Sequence, residues 1–414
     1  MRRFTLPLLT ILLLVSMTRC QPDTPIDESI PDPALLERAQ ELTQQFIIVD
    51  GHIDVPYRMM LHEEDISQAT EGGDFDYPRA RAGGLNAPFM SIYIPSDRQD
   101  AEGAAKAAAD SLIDMIEGFV QHAPEKFAIA TSVADIRRHH EQGLISLPMG
   151  MENGAGIEDD LGHLQHFYDR GIRYITLTHA RDNRICDSSY DTTRTWQGLS
   201  PFGEQVIGEM NRLGIIIDVS HISDSTFYQV MRRTKAPVIA SHSSIRHFTP
   251  DWERNMSDDL IKILAEHDGV IMINFGSSFL RGEYREQGNA VRQRISDELE
   301  RRGWSEDDPE AVAYFREQRR ANPVGTVQDV ADHIDHVVNL VGVDHVGLGS
   351  DFDGVFALPA GLQDVSEYPN LVAELLRRGY SDEDIEKVLG GNALRVWSEV
   401  ERAAQALQQS RSTP

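Results

Sequence analysis

Lysine is nearly absent from this chain. It occurs five times in 414 residues, so almost all of the 39 basic residues are arginine, set against 66 aspartates and glutamates. Nucleic acid is bound by neutralising its phosphates with Lys and Arg, and a formal net charge of -27 with no basic run leaves no footprint for it. Nucleic-acid binding is excluded. Cysteine is scarcer still: Cys20 and Cys186 cannot make a disulfide framework, so disulfides do not hold the fold together. Internal repeats and low-complexity tracts are also missing. The one long N-terminal apolar run, 4–15, is too short to span a bilayer as a helix.

That run follows Met1-Arg2-Arg3 and ends near Cys20, the layout of a signal segment over 1–20. Cys20 fits a lipoprotein signal in which it becomes the lipidated first residue, although Met17 and Arg19 are larger than such sites favour. The expectation is export to the cell envelope or periplasm, with a Pro- and Asp-rich tether at 21–33 and a lipid anchor at Cys20.

From residue 46 onward, short β-branched runs alternate with segments of helical period, the pattern of βα units around a parallel sheet. The runs lie at 46–50, 85–94, 145–151, 172–178, 215–220, 237–241, 269–275 and 345–350. Eight is the number that closes a (β/α)8 barrel, an α/β fold of TIM type, here over 34–405. Helix signals sit between the runs, among them Pro201 after Ser200 and capping boxes at Thr326/Asp329 and Ser381/Asp384. The charged stretch 280–322 is too long for an ordinary loop and reads as a helical insertion between strands 7 and 8. Residues 406–414 read as a flexible C-terminal tail.

Chemistry in such a barrel sits where the strands end, so the residues that follow each run carry the functional reading. The first run ends in Asp50-Gly51-His52-Ile53-Asp54, and a His-x-Asp pair can aim an imidazole and a carboxylate at one metal. Glu152 follows the third run, His179 the fourth, His221 the fifth, His242 the sixth and Asp351 the eighth. Histidines in helical or loop segments, such as His139 and His333, are expected to be hydrogen-bonded or solvated residues rather than ligands. Imidazoles and carboxylates without thiolate favour zinc or a similar divalent ion.

His52, Asp54, Glu152, His221 and His242 are more ligands than one catalytic zinc needs, which points to two ions. Glu152, lying between the His52/Asp54 and His221/His242 pairs, is the candidate bridge, and a carboxylate bridge sets two cations about 3.5–4 Å apart, close enough to share a water or hydroxide. Asp351 can take the proton of the attacking water and return it to the leaving group, with Asp353 as its neighbouring alternative. His179, with no second ligand near it in sequence, suits oxyanion stabilisation better than metal binding.

These residues resemble the membrane (renal) dipeptidases, within the amidohydrolase-like metal hydrolases, over about 49–396. The likeness runs through Thr176-Leu177-Thr178-His179, Asp218-Val219-Ser220-His221, Ser241-His242-Ser243-Ser244, Gly349-Ser350-Asp351-Phe352-Asp353-Gly354 and Gly390-Gly391-Asn392-Ala393-Leu394-Arg395. The resemblance implies a bacterial-type dipeptidase with two zinc ions: His52 and Asp54 on one, His221 and His242 on the other, Glu152 and a water or hydroxide between them. It gives His179 a place at the substrate carbonyl, Asp351 the proton shuttle, Arg254 the substrate's terminal carboxylate and Asn183 a substrate-side contact; it also implies a homodimer. A guanidinium suits a carboxylate because it binds bidentately and keeps its charge. Arg246, closer to His242, competes with Arg254, and a loop Asn such as Asn183 is as often a turn former. The chain departs from mammalian relatives in lacking their disulfides and in having Gly276 where an aromatic is expected.

Fold and metal set do not dictate substrate, so a hydrolase of cyclic amides, lactones or β-lactams remains compatible with the same residues. A non-enzymatic solute-binding lipoprotein is the other alternative, and the complete ligand set argues against it.

Overall fold

The computed structural model describes residues 32–305 and 308–412; the signal segment, Cys20 and the tether as far as residue 31 lie outside the described residues. Helix Pro33–Gln45 begins at the last residue read as tether. Asp32 caps it by accepting from the Ala34 amide at 2.9 Å, and Pro33 occupies a first-turn position where a missing N–H costs nothing.

Among the described residues ten strands follow: β1 (Ile48–Ile53), β2 (Leu85–Tyr93), β3 (Phe127–Ile129), β4 (Ile145–Leu147), β5 (Met149–Glu152), β6 (Ile172–Thr176), β7 (Ile216–Asp218), β8 (Ile239–Ser243), β9 (Val270–Ile273) and β10 (Val346–Leu348). Eight close a parallel barrel in the order β1-β10-β9-β8-β7-β6-β5-β2, while β3 and β4 form a separate pair. With helices packed between and outside these strands, this is a (β/α)8 barrel.

The run 145–151 is not the single strand expected from sequence. It breaks at Pro148, which has no N–H for a ladder, and only Met149–Glu152 takes the barrel position between β2 and β6. The Pro148 carbonyl still accepts from the Met90 amide at 2.8 Å, so the break costs one bond rather than a seam.

Inward-facing Val49, Phe89, Tyr174, Ile239 and Met272 fill the barrel and meet Leu394, Trp397 and Val400 of the last helix, Asn392–Ser412. Trp397 lies 5.4 Å from Phe89, ring to ring, and closes the N-terminal end of the barrel. Only the C-terminal end is left for a site. The same helix runs through the residues expected as a tail, as far as Ser412. Nothing in 403–412 breaks a helix, because the next proline is Pro414.

Between β9 and β10 stand helices Gly282–Arg302 and Pro309–Ala321, ahead of the barrel's own helix Val327–Val341. They enclose a small core of Val291, Ile295, Leu299 and Ala311. Arg319 ties them to the β1–β2 loop through a two-pronged contact with Asp74 at 2.8 and 2.7 Å.

Candidate metal centre

The strand ends deliver the expected residues to one point. The Nε2 atoms of His221 and His242 lie 3.0 and 3.2 Å from one oxygen of Glu152, with His179 Nε2 at 3.8 Å. His52 Nε2 is 3.4 Å from the other Glu152 oxygen and 3.4 Å from Asp54. Among the described residues three ligand sets result: His52/Glu152/His242, Glu152/His179/His221 and His52/Asp54/Asp351, each with its atoms within 4.8 Å of one another. Glu152 belongs to two of them. The structure also puts His179 within ligand distance of Glu152 and His221, closer to the ligand cluster than its isolation in sequence suggests.

The local backbone is bent to achieve this. His221 (φ 67°) and Asp351 (φ 62°) sit in the left-handed region, which costs about 1–3 kcal/mol each for non-glycine residues and persists only where the surroundings impose it. Gly354 is required beside them, since a Cβ there would collide with the Asp54 and Asp351 carboxylates.

Beneath the ligands lie two buried aspartates to which the sequence motifs assigned no role. Asp50 accepts the amides of His52 and Ser350, both at 3.0 Å, joining β1 to the end of β10. Asp218 accepts the amides of Ser220 at 3.0 Å and Ser241 at 2.8 Å, joining β7 to β8. Its second oxygen takes the Ser241 hydroxyl at 2.6 Å, and that hydroxyl is 2.7 Å from His242 Nδ1. His52 Nδ1 is held by the Tyr174 hydroxyl at 2.8 Å. Their shared position, two or three residues ahead of a strand-end histidine (Asp50/His52, Asp218/His221), was the available signal.

Charge follows the geometry. Burial opposes ionisation of Glu152, but His52, His179 and hydrogen bonds from His221 and His242 outweigh it and hold the carboxyl well below its usual range. Burial, then Arg254 and His179, keep His221 well below the usual imidazole range; burial, then His52 and Arg254, do the same for His242. Both are therefore neutral, as a ligating imidazole must be. Burial also disfavours charge on His52, yet Tyr174, Glu152 and Asp54 draw it well above its usual value. His52 Nε2 is buried without a hydrogen-bond partner, and the Nε2 atoms of His221 and His242 face each other at 2.8 Å. Nitrogen and oxygen donors in this array fit divalent cations.

The model for the family described as membrane dipeptidase (peptidase family M19) matches residues 36–411. The chain belongs to the membrane dipeptidase family. As a member it is a metallo-dipeptidase, a hydrolase of peptide bonds. It is 36% identical over 373 residues to a dipeptidase, aclJ, of Aspergillus oryzae, covering 87% of this chain and 79% of that one. The probable dipeptidase PvdM of Pseudomonas aeruginosa superposes with a TM-score of 0.76 at 30% identity, over 90% of this chain and 99% of that one. A metallopeptidase of Rhodobacter sphaeroides, liganded with a phosphinate mimic of the dipeptide L-Ala-D-Ala, superposes with a TM-score of 0.70 at 26% identity, over 86% and 99% of the two chains.

The remaining expected residues divide. Arg254 is buried at the dipeptidase centre, donating to Ser243 Oγ and to the His242 carbonyl, both at 2.7 Å, with Nη2 3.1 Å from His221 Nε2 and Nε unpartnered. Its competitor Arg246 is engaged elsewhere, bidentate on Asp224 at 2.8 and 2.7 Å. Asn183 does not face the centre as a free group. Its oxygen accepts the Ile185 and Cys186 amides and its nitrogen donates to Asn153 and the Leu177 carbonyl, the turn-forming arrangement that a loop Asn offers. Asp353 points away, accepting the Asp74 amide at 2.6 Å. Asp351 stays at the centre, accepting from the Asn274 amide at 2.7 Å. His333 is a core residue, with Nδ1 accepting the Ile245 amide and Nε2 against the Leu280 carbonyl.

Proposed function

We propose that this metallo-dipeptidase hydrolyses dipeptides bearing a free C-terminal carboxylate with two zinc ions, His52 and Asp54 serving one, His221 and His242 the other, and Glu152 both. The convergence of four imidazole Nε2 atoms on the single Glu152 carboxylate supports this reading above all. Ions so held would polarise the scissile carbonyl and lower the pKa of a water between them.

The chain's own groups do the rest. Asp351 is pushed well above the carboxylate range, by burial first and by the Asp54 charge second, so it binds a proton readily beside the ligands. It takes the proton of the attacking water and passes it to the departing amine. Asn274 orients its other oxygen. His179, lowered in pKa chiefly by burial, is a neutral donor for the oxyanion. Arg254 binds the terminal carboxylate, and a fixed anchor next to the reacting carbonyl leaves room for one residue beyond the scissile bond.

Amino-acid release from L,L and L,D dipeptides, from C-terminally amidated ones and from tripeptides tests the reading; an L-Ala-D-Ala pair belongs in the panel because the Rhodobacter sphaeroides relative is liganded with its mimic. Release confined to free dipeptides supports it. Arg254→Met should raise KM for them by about tenfold or more, and an unchanged KM would remove Arg254 from substrate binding. Among the described residues no helix is long and apolar enough to cross a membrane. Export with Cys20 as the lipid-bearing residue, and a homodimer, complete the proposal. Membrane fractionation of Cys20→Ala and light scattering of the purified chain test them.

A further inference from the structure

A cavity of about 710 Å³ opens between the insertion helices Gly282–Arg302 and Pro309–Ala321, the 58–73 segment and residues 353–356. Its lining is unusual for a chain of net charge -27: Arg58, Arg292, Arg316 and Arg319 all contribute. Arg319 is neutralised by Asp74. Arg58, its side chain only 10% exposed, pairs through Nε with Asp353 at 3.5 Å and donates from Nη2 to the Phe75 carbonyl at 3.0 Å, which leaves Nη1 without a partner. Arg292 rests on the Phe356 ring at 4.9 Å, and among the described residues neither Arg292 nor Arg316 has an ion pair or hydrogen bond. Arg316 is held below its ordinary pKa by burial, against the pull of Glu64 and Glu71. Glu64 and Asp353 are the carboxylates in the same lining, so four arginines face two carboxylates there.

The rest of the wall is apolar. Ile295, Leu299 and Ala311 form one side, and Leu61 (61% exposed) and Phe315 (37% exposed) stand at the rim. Cationic groups in excess, against a dry aliphatic wall and an exposed apolar rim, call for a ligand that is anionic at one end and apolar at the other.

We propose that this cavity is a second binding site, distinct from the metal centre, for a small amphiphilic organic anion with one charged head on a short apolar chain. The head pairs with Arg316 and Arg292, and the chain covers Ile295, Leu299 and Phe315. The proposal stands apart from the dipeptidase reading, since none of these residues is a metal ligand or a substrate contact.

Octanoate is the probe, titrated calorimetrically into the zinc-loaded protein, with acetate as the head without the tail and octylammonium as the tail with the opposite charge. Octanoate should bind saturably, about tenfold or more tighter than either control. The double variant Arg292→Met, Arg316→Met should lose about tenfold or more of that affinity while dipeptide turnover is unchanged, and Arg316→Gln alone should lose part of it. Equal binding of octylammonium would overturn the proposal. So would undiminished octanoate binding by the variants, which would put the carboxylate at the metal centre instead.

Discussion

The β1/β10 and β7/β8 seams of the barrel use the same device to different ends. In each, a buried aspartate clamps two strand ends through backbone amides: Asp50 through His52 and Ser350, Asp218 through Ser220 and Ser241. In the β7/β8 seam the clamp continues into the ligand, because the Ser241 hydroxyl links Asp218 to His242 Nδ1. In the β1/β10 seam it does not. The second oxygen of Asp50 takes the Tyr368 hydroxyl, and His52 is oriented instead by the Tyr174 phenol from β6. Backbone placement and control of the imidazole ring are thus separable: His242 is held by a carboxylate through a hydroxyl, His52 by a phenol.

Removing what the halves share gives the largest effect. Glu152→Gln should abolish turnover and release metal from both halves, measured by elemental analysis alongside kinetics; full retention of two equivalents would mean that the halves do not depend on the bridge. Asp351→Asn, on the β10 side, should keep the metal and cost about 10²–10⁴ in kcat. Unaltered kcat would remove Asp351 from proton transfer.

Asp218→Asn then tests the difference between seams directly. Loss of the carboxylate behind Ser241 should weaken metal at the His221/His242 half by about 10–100-fold and spare the other. Equal weakening of both halves, seen in stepwise chelator titration, would erase the distinction. Tyr174→Phe should produce the complementary, smaller loss at His52.

The smallest effect concerns pH. Burial, opposed by Arg58 and reinforced by Asp74, raises Asp353 to about 6. A carboxyl raised on folding binds its proton more tightly in the folded state, so its contribution is present at low pH and is lost as pH rises through about 6. The stability of the protein relative to Asp353→Asn should therefore decline between the unfolded carboxyl value and about 6, measured by urea unfolding at fixed pH steps. A difference that grows over this window would reverse the assignment.

The barrel and the residues that meet at its mouth were legible because period-2 and period-3.6 patterns, and polar residues just past apolar runs, are local signals. Pro148 shows where such signals mislead: an apolar run across it reads as one strand, yet ladder pairing needs an N–H it lacks, and partner choice divides the run between two sheets. Arg246 and Arg254 are indistinguishable by type and spacing. Asp224 next to one and the strand-end histidines next to the other decide between them. Asn183 shows the same limit, since which amides and carbonyls surround a side chain is not a property of its neighbours in sequence.

By itself the sequence determined the barrel, the family and the residues that meet at the strand ends, because hydrophobic period and motif order survive without coordinates. Only the tertiary structure decided the two aspartate clamps, the relay from Asp218 to His242, the place of Arg254 beside the strand-end histidines and the arginine-lined cavity under the insertion. Each joins residues tens to hundreds of positions apart, as Asp50 and Ser350 are, and such contacts exist only once the chain has closed on itself.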